Sequence, residues 1–349
     1  MQKPGQRAGW LALRGAYGTG TLAGLAAVGY GVIRAEARLA RRTIGEPTEL
    51  PPDPTGTYGR HAGPTLRLVM IGDSSATGLG ADAPSQTPGA LLAGGVARDL
   101  KRRVRLDVVA FVGARSADLD AQVAKALQSP IDLAVIMIGT NDVTHGVSPG
   151  DASRDLGRAV QTLRAAGALV VVGTCPDLGA VKPLMQPLRT VASFLSRRLA
   201  AAQAVAVVEN DGVAVTLGSL LSKEFSQHPH LWSEDRFHPS PEGYRRVADA
   251  VLPSLLEGMG VEIQVSVPVS STVQDANVAA TLAAREPGLT VESIPGEQGA
   301  AAVGPGRLVR LVRRLPVVGR GAPDPLLPPE EDDESDITQP DSADPQAAG

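Results

Sequence analysis

Residues 66–78 read LRLVMIGDSSATG. The run Leu66–Ile71 is apolar at nearly every position, where a half-exposed strand would alternate. A strand apolar on both faces suits the middle of a parallel sheet covered by helices. Four further apolar runs follow, at Leu106–Val112, Asp132–Ile138, Ala168–Gly173 and Ala204–Val208. Helical patterns fall between them near 88–102, 116–128, 152–166 and 184–203, with a last one at 241–257. Strict alternation of strand and helix predicts a three-layer α/β/α domain with a central five-stranded parallel sheet. In such sheets ligands bind beyond the carboxyl ends of the strands. The residues just after each apolar run are therefore the ones to search for chemistry.

Composition narrows the classes. The chain has 349 residues, 43% of them hydrophobic, which is enough for a sizeable core. Its one cysteine, Cys175, excludes an internal disulfide and a cysteine-based structural zinc site. Aromatic residues make up 3%, too few for a base-stacking nucleic-acid surface. The net charge of −4 is unevenly spread. Residues 330–349 carry eight acids and no base, while residues 1–42 carry seven bases and one acid, Glu36. The near-neutral body has no phosphate-backbone footprint, so nucleic acid is not an expected partner.

Four strand-end segments carry candidate chemistry. After the first strand, Gly72-Asp73-Ser74-Ser75 sets a hydroxyl on a glycine-framed turn. An Asp or Ser there also serves as an ordinary helix cap. After the second strand, Gly113 lets a backbone N–H approach a ligand closely. After the third, Gly139-Thr140-Asn141-Asp142 offers a side-chain amide donor, or simply an Asx turn. Before the last helix, Asp235-Arg236-Phe237-His238 can set a carboxylate beside an imidazole, and Ser240-Pro241 reads as a helix start that fixes this loop. His61, His145, His228 and His230 read as structural. No G-x-x-x-x-G-K-[ST] or G-x-G-x-x-G occurs at the first turn, which argues against a nucleotide cofactor.

In chain order these segments supply Ser, Gly, Asn and Asp-x-x-His. The set resembles the SGNH hydrolases, also called the GDSL family of esterases and lipases, over about residues 66–258. The G-x-N-D block at Gly139–Asp142 and the D-x-x-H block at Asp235–His238 match fully. Ser75 departs from the commoner Leu of the first block, and Ala110-Phe111 replaces the usual Asn before Gly113. The resemblance implies a flavodoxin-like fold and hydrolysis of carboxylic (acyl or acetyl) esters without metal or cofactor. It implies Ser74 as nucleophile, His238 as general base and Asp235 as its orienting partner. Ser74, Gly113 and Asn141 would form the oxyanion hole. Phe225, Trp232 and Phe237 are expected either to line a substrate pocket or to pack down the segment before the histidine. Two other readings are a non-catalytic binding or scaffold protein on this fold and a flavodoxin-like nucleotide or flavin binder. The intact Ser74, Asn141, Asp235 and His238 argue against both.

The remaining segments are read by composition. Residues 15–33 form a 19-residue uncharged span, long enough to cross a bilayer but rich in Gly and Ala. It fits a signal anchor, a cleaved signal or a helix packed on the body, so residues 1–44 are read as an anchor or signal segment. The expected location is membrane-anchored or exported, otherwise cytoplasmic. Residues 45–64 hold five prolines and read as a linker to a catalytic domain at 65–260. Residues 261–349 read as a mostly disordered extension with an acidic tail. Within it, 307–315 (RLVRLVRRL) has the spacing of a short basic amphipathic helix.

Overall fold

The central strands β2 (Leu66–Gly72), β3 (Val104–Val108), β4 (Leu133–Met137), β5 (Leu169–Gly173) and β6 (Val213–Val215) are all parallel and lie in the order β3-β2-β4-β5-β6. β1 (Gly56–Tyr58) adds antiparallel to the outer edge of β3. In the computed structural model the described residues are 50–261, parts of 31–42 and the backbone of three short strands beyond. The order is second-first-third-fourth-fifth along the parallel set, as in doubly wound flavodoxin-like sheets. The chain winds outward in opposite directions from β2 and β4. A crevice therefore opens at their carboxyl ends.

Period-two alternation sorts the side chains into two cores. Val69, Ile71, Ala134, Ile136, Val170 and Val172 face one side. They meet α3 (Leu119–Ala126), α5 (Pro149–Ala165) and α6 (Leu188–Glu209) through Val123, Leu156, Val160 and Val207. Leu68, Met70, Leu133, Val135 and Val171 face the other side. There they meet α2 (Pro88–Leu100) and α8 (Pro241–Gly258) through Leu92, Val96, Val251 and Leu255. Three more helices, α1 (Ser74–Thr77), α4 (Thr140–His145) and α7 (Leu217–Gln227), begin at the carboxyl edge of the sheet, after β2, β4 and β6.

Three of the five expected parallel strands form where the apolar runs stand; the second is Val104–Val108 and shares only Leu106–Val108 with its run, and the fifth does not form at its run. Ala204–Val208 lies in α6, which continues to Glu209, and the strand is Val213–Val215. The run is apolar because one helical face is buried at Leu199, Ala200, Ala204, Val207 and Val208. A short buried run carries the same composition in either conformation. The proline-rich stretch read as a linker contains β1, whose Tyr58 is buried and donates its hydroxyl to the Pro54 carbonyl at 2.7 Å.

Within the segment 307–315 the described residues Leu308–Arg313 form the strand β9, where the spacing predicts a helix. It pairs antiparallel with β7 (Thr272–Asp275) and with β8 (Leu289–Ser293), and β8 meets β6 at Ala214. Nine residues make a marginal helix, and a ladder with two neighbours outweighs helical spacing. Residues 15–30, 262–270 and the acidic tail lie outside the described residues. Among the described residues, α6 alone is long and apolar enough to cross a membrane. Its Ala192, Leu199, Ala204 and Val207 are buried in the body, as in a core helix.

Candidate active site

The turn after β2 is held from three sides. Gly72 has φ +133°, and a Cβ there would sit 1.9 Å from the Met137 carbonyl oxygen of β4. Only glycine lets the chain turn that close. Gln122 of α3 clasps the same residue, accepting from the Gly72 N–H at 2.7 Å and donating to the Gly72 carbonyl at 3.0 Å. Asp73 caps α1 by accepting from the Ser75 N–H at 2.9 Å. Burial pushes the Asp73 carboxyl up to about 6, against the pull of its Ser75 hydrogen bond. Ser74 is thereby the first residue of α1 and is nearly buried.

The turn after β4 is built in the same manner. Gly139 has φ +136°, and a Cβ would meet the Cys175 side chain at 2.8 Å. Gln203 of α6 bridges the adjoining strand ends, donating to the Ile138 carbonyl at 3.0 Å and accepting from the Cys175 N–H at 2.7 Å. Asn141 donates to the Ala114 carbonyl at 2.9 Å. Asp142 accepts from the Ser116 N–H at 3.1 Å and from the Ser116 hydroxyl at 2.8 Å. Burial raises the Asp142 carboxyl, opposed by those two bonds. Together they fasten the loop bearing Gly113 to the Asn141 turn. The Phe111 N–H also reaches the Gly72 carbonyl at 3.3 Å, so this loop abuts the serine turn. Gly113 has φ +86° and faces open space.

The histidine arrives on a loop that closes on itself. Ser233 N–H donates to the His238 carbonyl, Ser240 N–H to the Leu231 carbonyl, and Trp232 bridges Pro239. Ser240 caps α8 through the Gly243 N–H at 3.2 Å, with Pro241 opening the helix. Tyr244 in the first turn of α8 donates to the Leu79 carbonyl at 2.6 Å, pinning that helix beside α1. His238 Nε2 lies 2.9 Å from Ser74 Oγ, and its Nδ1 lies 2.5 Å from Asp235. Burial would raise the Asp235 carboxyl. Hydrogen bonds from the His238 ring and backbone, the Ser233 hydroxyl and the Phe237 N–H outweigh it and hold the group well below the usual range. His61, His145, His228 and His230 are all exposed.

Beside Ser74 and His238 opens a cleft of about 800 Å³, counting its open mouth. Its walls are mostly apolar: Ile138, Leu178, Val181, Leu217 and Leu221 among them, with Phe225, Trp232 and Phe237. The aromatic residues do both things expected of them. They line the cleft, and they pack: Phe225 and Trp232 meet edge to face at 5.0 Å, as do Phe237 and His238. Trp232 Nε1 also donates to the Phe225 carbonyl at 2.8 Å. Among the described residues no group of three His, Cys, Asp or Glu side chains is arranged to hold a metal ion. A buried serine hydroxyl against an imidazole, backed by a carboxylate, can deliver a proton-relayed nucleophile to an apolar ligand.

The model of the GDSL-like lipase/acylhydrolase family matches residues 70–246, about half of the chain. The chain belongs to that family. A GDSL-like esterase of Mycobacterium tuberculosis is 39% identical over 245 residues, covering 66% of this chain and 78% of the relative. Among solved structures, TesA is 25% identical, covering 55% of this chain and 99% of TesA at a TM-score of 0.44. An extracellular lipase from Streptomyces rimosus is 21% identical, covering 55% and 99% at a TM-score of 0.41. As a GDSL-like acylhydrolase the chain is a hydrolase acting on ester bonds. Gln122 and Gln203 belong to no motif, because each is a polar residue in a helix whose partners are distant in sequence.

Proposed function

We propose that this acylhydrolase is a serine esterase working through an acyl-enzyme intermediate, with Ser74 as nucleophile. The reading rests on one observation: the continuous hydrogen-bond chain Ser74–His238–Asp235 at the edge of an apolar cleft. A serine hydroxyl is protonated at neutral pH and needs a base within reach. His238 Nε2 takes the proton as Ser74 Oγ attacks the ester carbonyl, and returns it to the departing alcohol. Water then attacks the acyl-enzyme with His238 again as base, releasing the carboxylic acid and restoring Ser74. Asp235 accepts from Nδ1–H, fixing the tautomer and stabilising the imidazolium. The Ser74 and Gly113 N–H groups and the second N–H of the Asn141 amide are the oxyanion donors. Each such donor is typically worth about 3–4 kcal/mol in the transition state. The apolar cleft favours an acyl group over a sugar as its occupant. Residues 65–260 are the catalytic unit of this scheme, and residues 15–33 tether it to a membrane.

A fluorophosphonate probe tests the reading, because only an activated serine reacts. Wild-type chain should label stoichiometrically, and Ser74→Ala should neither label nor hydrolyse p-nitrophenyl acetate while keeping its melting temperature. Labelling that survives in Ser74→Ala and disappears in Ser75→Ala would move the nucleophile by one residue.

A further inference from the structure

Among the described residues eight large apolar side chains are left exposed; Val32, Leu39 and Leu50 precede β1, and the other five form two groups that follow β3 and β5. Phe111 and Val112 follow β3, next to Gly113; Met185 lies in the segment between β5 and α6, and Phe194 and Leu195 lie in the second turn of α6. Phe194 is 58% exposed and Met185 57%, high for side chains of this size. Both groups stand at the carboxyl edge of the sheet, where Ser74 and His238 also lie. The stretch 182–198 carries Lys182, Arg189, Arg197 and Arg198 and no acid. Arg197 is paired with Asp177, and Arg198 lies over the Phe194 ring at 5.5 Å.

A second observation is independent of the first. The N-terminal segment docks at this same edge: the Glu36 carboxylate accepts from the Leu188 N–H at 2.8 Å, capping α6. An acid there meets the unsatisfied N–H groups and positive end of the helix dipole. Leu188 packs with Leu178 and Val181, which line the cleft. The uncharged stretch 15–33 ends one residue before Arg34 and three before Glu36. A span inserted in a bilayer would therefore bring the chain out of the lipid beside the mouth of the cleft.

We propose that this carboxyl-edge rim is a lipid-facing surface that rests on an anionic phospholipid bilayer, so that the ester enters the cleft from the lipid phase. The apolar side chains of Phe111, Val112, Met185, Phe194 and Leu195 enter the headgroup boundary, and Lys182 and Arg198 meet the lipid phosphates, while Arg189 and Arg197 are held by the Leu184 and Lys182 carbonyls and by Asp177. Glu36 is the clamp that holds the rim toward the membrane. The proposal builds on the esterase reading only for the identity of the substrate.

The test uses the full chain in vesicles of phosphatidylcholine and phosphatidylglycerol containing a nitroxide-labelled lipid. An environment-sensitive dye is attached at Phe194→Cys, and in a control at Lys125→Cys, an exposed site near the end of α3 at the opposite edge. Cys175 is buried and does not compete for the dye. Dye at position 194 should be quenched at least threefold more than dye at 125. Equal quenching at the two sites, or none at either, overturns the rim. As a second readout, Met185→Ser combined with Phe194→Ser should lower hydrolysis of a vesicle-embedded ester about tenfold. Turnover of a soluble short-chain ester should stay unchanged. Unaltered turnover of the embedded ester by that variant also counts against the rim. A wild-type chain inactive on both esters counts against the esterase reading instead, with the quenching result standing by itself.

Discussion

The two halves of the site are built by opposite means. The serine half is assembled from distant parts of the chain: Gly72 is clasped by Gln122, 50 residues on, and its turn is wedged against Met137. The Asn141 turn is likewise tied to Ala114 and Ser116. The histidine half is local. Asp235 collects its hydrogen bonds from Ser233, Phe237 and His238, and the loop ends are joined within ten residues by Ser240 and His230. Long-range clasping makes the serine turn as rigid as the sheet and as vulnerable as the sheet's packing. A self-bonded loop keeps its own shape and depends on the rest of the fold mainly for where it is set down. Damage should therefore spread into global stability from the serine half and stay local in the histidine half.

The largest expected effect treats the halves as one machine. Ser74→Ala and His238→Ala should each lower kcat by about 10³-fold or more, and the double variant should be no worse than either, because the residues act as a unit. Additive losses in ester turnover would mean that the two halves contribute separately, which breaks the proposed relay.

Next in size is the contrast itself. Gln122→Leu leaves the buried Gly72 N–H without its partner, at roughly 1–3 kcal/mol, and leaves the Gly72 carbonyl only the longer bond from the Phe111 N–H. Urea denaturation should show a loss of about 2–4 kcal/mol together with lower turnover. Ser233→Ala removes one of several bonds to Asp235 and should cost about 1 kcal/mol or less, with a drop in activity confined to kcat. If Ser233→Ala proved as destabilising as Gln122→Leu, the distinction between a clasped turn and a self-bonded loop would not hold.

A pH experiment sharpens the comparison further, since the two aspartates are shifted in opposite directions. Asp73 is raised to about 6, so the folded chain holds its proton more tightly than the unfolded chain does. The stability this contributes is present below about pH 4 and is lost as pH rises through about 6. Asp73→Asn keeps the capping oxygen and cannot ionise. It should match wild type near pH 4 and exceed it by up to about 2 kcal/mol near pH 8 in urea melts. Asp235 is lowered, so its contribution is present above the ordinary carboxylate range and fades only as pH falls below it. Asp235→Asn should accordingly lose stability relative to wild type at neutral pH, the opposite sign, measured in the same melts.

Much of this arrangement was open to a reader of the linear chain. Apolar runs at 66–71, 132–138 and 168–173 mark buried parallel strands because burial on both faces removes the need for alternation. The loop Asp235–His238 and its cap at Ser240 were legible because their contacts are local, and local contacts leave a spacing in the sequence. The same logic explains the errors. Ala204–Val208 carries a buried helical face that has the composition of a strand, and Leu308–Arg313 has helical spacing yet forms a strand through its neighbours. Only the folded sheet, by ordering its strands β3-β2-β4, brings the ends of three separate strands to one crevice and sets His238 2.9 Å from a serine 164 positions away. Gln122 and Gln203 belong to that second kind of information. Their roles depend on which backbone amides stand opposite them, and a residue's own type and spacing do not encode the position of a strand end more than 20 residues away.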